Sequence, residues 1–174
     1  MRIISGTHKG RKIKPPKHLA IRPTTDRAKE ALFSIIDSKY FLSKKNMLDL
    51  FSGTGNIALE FTSRGVTKAV AVDNNINCTK FITATAKSFE LNVSAIQSDA
   101  LKYAQNCKEQ FNFIFADPPY CYEKYQELKE VIIKRNLIKK DGLLIIEHDK
   151  KTLFDDDNVA VRRYGIVHFS LFSF

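Results

Sequence analysis

Short apolar runs at regular intervals constrain this chain more than anything else in it. MLDLF (47–51), KAVAVD (68–73), NVSAIQ (92–97), FNFIFA (111–116) and GLLIIEH (142–148) are each one strand long. Between them lie segments with helical spacing: Gly55 to Arg64, Ile76 to Glu90, a short one over 100–106, and Tyr122 to Arg135. Strands nearly bare of polar residues must be covered on both faces, and the intervening helices are the available cover. The pattern predicts a doubly wound, mostly parallel α/β sheet. Two further strands, near 158–163 and 166–173 and joined by Tyr164-Gly165, read as an antiparallel edge pair, which makes seven. Upstream, Ala28, Ala31, Leu32, Ile35 and Ile36 recur at helical spacing from about Asp26 to Ser38, with Thr24, Thr25 and Asp26 available as caps. MRIISGTHKGRKIK sets Gly6 and Gly10 between two apolar stretches and predicts a short β-hairpin. The expected division is a basic arm over 1–22 and one α/β domain over 23–174.

A chain of 174 residues, 44% hydrophobic and with 13 Phe, is the right size for one substantial core. No run of about 18 apolar residues could span a bilayer, and the first ten residues lack the apolar segment of a signal peptide. These features predict a soluble, cytoplasmic protein without a membrane partner. Cys78, Cys107 and Cys121 have neither the spacing of a zinc site nor an even count for disulfides. The formal charge is +9, and residues 1–22 supply seven basic residues with no acid. Such an arm suits a polyanion, because each neutralised phosphate releases condensed counterions. It equally suits a solvated tail.

In open α/β sheets, ligands bind beyond the carboxyl ends of the strands. Three of those ends carry signals. After the first run, Asp49-Leu50-Phe51-Ser52-Gly53-Thr54-Gly55 has two glycines that let backbone turn sharply beside a ligand. Gly53-x-Gly55-x-x-Ala58 also satisfies the dinucleotide fingerprint, so a nicotinamide enzyme stays open at this point. Asp73 ends the second run, where a carboxylate can accept from both ribose hydroxyls of an adenosine-containing cofactor. Asp99, in Ser98-Asp99-Ala100, could hold an adenine amino group or merely cap the next helix.

The fourth end reads FADPPY. An exocyclic amine on a nucleobase is a poor nucleophile, since its lone pair is delocalised into the ring. Catalysis at such a nitrogen needs acceptors that hold its N–H groups while it pyramidalises. The carboxylate of Asp117 and the carbonyl of Pro118 supply two acceptors, Pro118 and Pro119 remove competing amide donors, and Tyr120 can stack on the base. A hydride-transferring enzyme has no use for this set.

LDLFSGTG followed by DPPY resembles the motifs of class I S-adenosylmethionine-dependent amino-methyltransferases, whose fold is Rossmann-like. Together with RIISGTHKGRKI, RPTTDRAKEALFSII and ALEFTSRG, the pattern looks like the RsmD family, the 16S ribosomal RNA guanine-N2 methyltransferases. The resemblance covers almost the whole chain; Ser52 stands where the family usually has Ala. It implies methyl transfer from S-adenosylmethionine, leaving S-adenosylhomocysteine, to a guanine of 16S rRNA, within an assembling small subunit, by a monomer that uses no metal. Carried onto this sequence, the cofactor residues are Asp49, Phe51, Gly53, Gly55, Asp73, Asn74, Asp99, Ala100 and Thr25. Asp117, Pro118, Pro119 and Tyr120 are catalytic, and Lys9, Arg11, Lys12, Arg22, Thr24 and Arg27 contact RNA. Rival expectations are an adenine-N6 methyltransferase, which commonly carries a larger recognition region, and a non-catalytic rRNA-binding assembly factor.

Overall fold

A computed structural model describes residues 1–16, 19, 25–156 and 159–174. Strands β1 (Asn46–Leu50), β2 (Lys68–Asp73), β3 (Val93–Gln97), β4 (Phe111–Ala116) and β5 (Ile138–His148) run parallel. β6 (Val159–Tyr164) and β7 (Val167–Ser173) complete one edge antiparallel. Across the sheet the order is β3-β2-β1-β4-β5-β7-β6. The chain winds outward from β1 to β3 and then returns to place β4 against the other side of β1. The order therefore reverses between β1 and β4, which is where a doubly wound sheet opens its binding crevice.

Side-chain alternation divides the core in two. Met47, Phe113, Phe115 and Ile145 face α1 (Asp26–Lys39) and α2 (Asn56–Ser63), against Leu32, Phe33 and Phe61. Leu48, Leu50, Ile114 and Ile146 face the other way, toward α4 (Ala100–Asn106) and α5 (Tyr125–Lys134), where Ala104, Leu128 and Ile132 cover them. α3 (Ile76–Ser88) adds Ile82 to the first face. Fully burying one side chain of this kind contributes about 1.5–3 kcal/mol, so both layers hold the strands whose tips form the crevice.

Two elements start three or more residues away from the sequence expectation. α5 begins at Tyr125 rather than Tyr122, because the amide of Tyr122 donates to the Pro119 carbonyl at 2.7 Å and closes a turn first. β5 begins at Ile138, four residues before GLLIIEH. Lys139-Lys140-Asp141-Gly142 looks like a turn in sequence, but it is a bulge: Asp141 has φ 59°, and the β4–β5 register shifts between Phe111 and Phe113. The expected N-terminal hairpin is present: Arg2 bridges Lys12, and the amides of Ile3, Gly10 and Ile13 donate to the carbonyls of Arg11, Ile3 and Met1 at 2.9, 2.9 and 3.1 Å.

A buried charge cluster holds that hairpin. Glu60 on α2 accepts from the Ile4 and Ser5 amides at 2.8 and 3.0 Å and from Arg64 Nε at 2.7 Å. Its fourth partner is the fully buried ammonium of Lys29, 3.1 Å away, which also donates to the Arg2 carbonyl at 2.7 Å and to Asn56 Oδ1 at 2.8 Å. Burial pulls the Lys29 pKa below its ordinary value, with Glu60 opposing. Beside the cluster Gly6 has φ +85°, and a Cβ there would lie 1.8 Å from the Ser63 carbonyl oxygen. Gly6→Ala is therefore expected to undock the hairpin from α2, which trypsin would report as faster cleavage after Lys9, Arg11 and Lys12. Parental cleavage rates in that variant would mean that the arm rests on α2 without needing the close approach.

Candidate active site at the strand tips

The four loops around the crevice are joined by three backbone hydrogen bonds that continue the sheet ladder just past the strands. Ser98 N donates to the Asp73 carbonyl at 3.0 Å, Ser52 N to the Val72 carbonyl at 3.0 Å, and Asp117 N to the Leu50 carbonyl at 3.3 Å. The loops after β3, β2, β1 and β4 thus form one continuous edge. Ser52 adds a hydroxyl bond to the Val72 carbonyl at 3.2 Å and so reinforces the β1–β2 link.

The loop after β1 is built for tight backbone. Phe51, Gly53 and Gly55 have φ 60°, 54° and 75°, all left-handed. At Gly55 a Cβ would also meet Ile82 Cγ1 at 2.9 Å. Asp49 shares the Met47 face, so its carboxylate points to the start of α2, where Oδ2 accepts from Ala58 N at 3.1 Å. The group is 1% exposed. Burial pushes its pKa up to about 8, against the Ala58 bond and with repulsion from Asp73. Asp73 braces the same loop: Oδ2 accepts from Gly53 N at 2.8 Å and Oδ1 from Asn75 N at 2.9 Å. Asn74 is exposed beside it.

Other expected residues hold helix starts. Asp99 Oδ1 accepts from Lys102 N at 2.8 Å and caps α4, whose first residue is the buried Ala100. Capping, one of the two roles open to Asp99 from sequence, is thus observed. Thr25 caps α1 through Ala28 N at 3.2 Å, and Arg27 is exposed on that helix. Arg22 and Thr24 lie outside the described residues.

At the fourth tip, Asp117 is half-buried, Pro118 buried, and Pro119 and Tyr120 exposed. Two aromatics that sequence reasoning missed stand behind them. Tyr122 meets Phe51 edge-on at 5.2 Å and Tyr125 at 5.5 Å. Burial, with Asp99 and Glu127 nearby, pushes the Tyr122 phenol up to about 12. Tyr125 is raised likewise by burial and then by the field of Asp117, Asp149, Tyr120 and Glu147, which places it at the back of the DPPY loop. Their only sequence signal was the recurrence of Tyr at 120, 122 and 125.

The tip of the arm, among the described residues, is not at this end. His8 stacks on Phe89 at 5.8 Å between centroids, and the Arg11 guanidinium sits 4.9 Å over the same ring. Phe89 follows α3, so it lies at the amino end of the sheet. The root of the arm approaches the crevice: Thr54 Oγ1 lies 3.4 Å from Met1 Sδ, and Lys12 is bridged to Arg2, which pairs with Asp26 at the start of α1. Among the described residues no cluster of His, Cys, Asp or Glu could hold a metal ion, and Cys78, Cys107 and Cys121 are free thiols. No helix among them is long and apolar enough to cross a membrane.

Comparison with known proteins agrees with this architecture. The family profile described as "Conserved hypothetical protein 95" matches residues 1–173. "Putative rRNA methyltransferase YlbH" of Bacillus subtilis is 33% identical, with 99% of this chain and 98% of that protein aligned. Ribosomal RNA small subunit methyltransferase D of Haemophilus influenzae is 28% identical over 99% and 93% of the two chains. Among solved structures, "Putative methyltransferase yhhF" of Escherichia coli shares the fold, with TM-score 0.86 at 24% identity over 99% and 97% of the chains. With a carboxylate and left-handed loop after β1, an acid closing β2 and DPPY closing β4, the chain belongs to the conserved hypothetical protein 95 family, the RsmD-type S-adenosylmethionine-dependent methyltransferases.

Proposed function

We propose that the protein transfers a methyl group from S-adenosylmethionine to the exocyclic N2 of a guanine in 16S rRNA. The observation that carries the reading is the Asp117 N to Leu50 carbonyl bond, which sets the amine-binding DPPY loop directly against the loop that turns around Asp49. Relatives named for methylation of small-subunit rRNA support the substrate class. The donor set fits the cofactor. Asp49 is a buried acid able to face a cationic amino-acid end, the left-handed loop brings backbone close, and Asp73, at the end of β2, would accept from the ribose hydroxyls. Asp99 and Tyr122 would hold the adenine. When bound, the cofactor supplies an electrophilic methyl on a sulfonium centre. The Asp117 carboxylate and Pro118 carbonyl hold the two N–H groups of the guanine amine, Tyr120 stacks on the ring, and Asp117 faces the positive character that the nitrogen gains. An assembling subunit as the form of substrate, and a monomeric enzyme, complete the proposal.

The test is to incubate the protein with unmethylated 16S rRNA and labelled S-adenosylmethionine, and to digest the RNA to nucleosides. N2-methylguanosine is expected; label in N6-methyladenosine, or none, overturns the reading.

The raised pKa of Asp49 adds a pH prediction. In the free protein the acid is largely protonated below about 8, and an ammonium group must bind its ionised form, so binding releases a proton. Cofactor affinity should therefore rise between about pH 6 and 7.5, by at most about tenfold per unit. Asp49→Asn should bind weakly with a flat profile. For folding the sign is opposite: the native acid keeps its proton longer than the unfolded one. Its contribution to stability is full below about pH 4 and declines as pH rises toward 8. Calorimetry across this range checks both, and pH-independent binding by the parent would remove Asp49 from the cofactor site.

A further inference from the structure

Beside the crevice, on the α5 face of β5, β6 and β7, lies a cavity of about 220 Å³ that the proposed reaction does not use. Its lining combines polar and basic side chains, Lys150, Arg163 and His168, with apolar ones, Leu153, Phe154 and Val161. The floor is rigid, because His148 is held at both ring nitrogens, by the Asp149 carbonyl at 2.7 Å and Ser170 Oγ at 2.8 Å. Its ring also meets Phe154 and His168 edge-on at 5.6 and 5.7 Å.

Two nearby acids are turned elsewhere. Asp149 Oδ1 accepts from the Lys151 and Thr152 amides at 2.9 and 3.3 Å, and Asp156 pairs with Lys129 at 2.6 Å. Lys150 and Arg163, both exposed, form no ion pair among the described residues. Two cations at the mouth of a small, partly aromatic cavity suit a phosphate joined to a planar or sugar group. At 220 Å³ the volume falls below the roughly 300–1,000 Å³ of pockets for whole small ligands, so it suits one part of a nucleotide, a base or a sugar, with the phosphate at the mouth.

Its position selects the source of that nucleotide. Ala116 pairs with Ile146, so one more step of the register sets Asp117 beside Glu147, and a second sets Pro118 beside His148. Neighbouring strands are about 4.8 Å apart, which puts the near wall of the cavity, His148 on β5, one strand spacing from DPPY and its far wall, Val161 and Arg163 on β6, three spacings away, a span of about one to two nucleotide steps. The rim segment is also fastened to α5, which the DPPY loop leads into, by Gln126 Nε2 donating to the Leu153 carbonyl at 3.2 Å.

We propose that this cavity receives the RNA nucleotide next to the target guanine, with its phosphate between Lys150 and Arg163. The inference rests on the rRNA-methyltransferase reading above. It gives the enzyme a contact that fixes strand direction and is separate from the site of chemistry.

The test compares the full-length parent with three variants, using unmethylated 16S rRNA with S-adenosylhomocysteine present, across about 50–200 mM salt. Lys150→Ala/Arg163→Ala should weaken RNA binding about tenfold and lower the salt slope by about one. Val161→Trp fills the cavity without changing charge and should weaken binding in the same direction. Lys108→Ala/Lys140→Ala, which removes two exposed cations at the amino end of the sheet, should leave affinity near parental. Unchanged cofactor affinity shows that each variant is folded. Equal losses from the two double variants, or no loss from either cavity variant, overturn the proposal while leaving the methyltransferase reading intact. A parent that binds cofactor but neither binds nor methylates RNA overturns both.

Discussion

Asp117→Ala lowers turnover by about a hundredfold or more, the scale of losing one preorganised electrostatic contact, while cofactor affinity stays within a few-fold of the parent. The asymmetry follows from where the carboxylate acts. In the proposed reaction the amine of a ground-state guanine carries little charge, and Asp117 would offer it one hydrogen bond among several contacts. As the methyl moves, the nitrogen becomes cationic beside a fixed carboxylate, so the interaction grows toward the transition state. A loss of this kind falls equally on kcat and kcat/KM. Asp117 is anchored by its amide to the Leu50 carbonyl, so truncating the side chain leaves the loop in place. Single-turnover methylation of 16S rRNA separates the outcomes. Near-parental rates would reduce FADPPY to the end of a strand, and a matching fall in cofactor affinity would move Asp117 into the cofactor site.

The largest effect on stability is expected at Glu60, far from any reacting atom. Glu60→Leu leaves Lys29 fully buried without its carboxylate, half-strands Arg64 on its contact with Asp37, and removes the acceptor of the Ile4 and Ser5 amides. Breaking a buried pair from one side costs about 3–5 kcal/mol, mostly because the remaining charge stays buried. With a slope near 2 kcal/mol/M the urea midpoint should fall by about 2 M. Adding Lys29→Met should recover much of that loss, since no buried ammonium then remains. A single variant within about 1 kcal/mol of the parent would show that water reaches Lys29 on a time scale that matters for folding.

The strands were legible in the sequence because each is a run of apolar residues whose burial does not depend on its partner, and the crevice motifs were legible because each is local. DPPY is recognisable from four adjacent residues whose chemistry has few other uses. What escaped depends on contacts between distant segments. Lys29 and Glu60 read as solvated helix positions, and only the docking of the arm on α2 turns them into a buried pair. Tyr122 and Tyr125 look like ordinary helix-entry residues until Phe51 and Asp117 are brought beside them. The start of β5 hid behind Lys-Lys-Asp-Gly because a bulge at Asp141 uses the same residues as a turn. The basic arm was read correctly as charge but not as position, since nothing in residues 1–14 indicates that Arg11 ends on Phe89.

The three backbone bonds that join the strand tips also determine where this chain can change in length. Inserting one residue into β1, β2 or β4 would slide its loop by about 3.3 Å and reverse which face each later side chain occupies. Asp49 would then leave α2, or Asp117 would leave Leu50, and the whole edge would fall out of step. The turns at the opposite end, over 64–67, 89–92 and 107–110, have cross-strand bonds of their own, such as Thr67 N to the Lys45 carbonyl at 2.9 Å, but position none of the crevice residues. Loop-closure cost rises only slowly with length, so segments added there would leave the chemistry where it is. Growth of the molecule is therefore confined to one end, and new surface for handling a large RNA can accumulate at that end without disturbing the other.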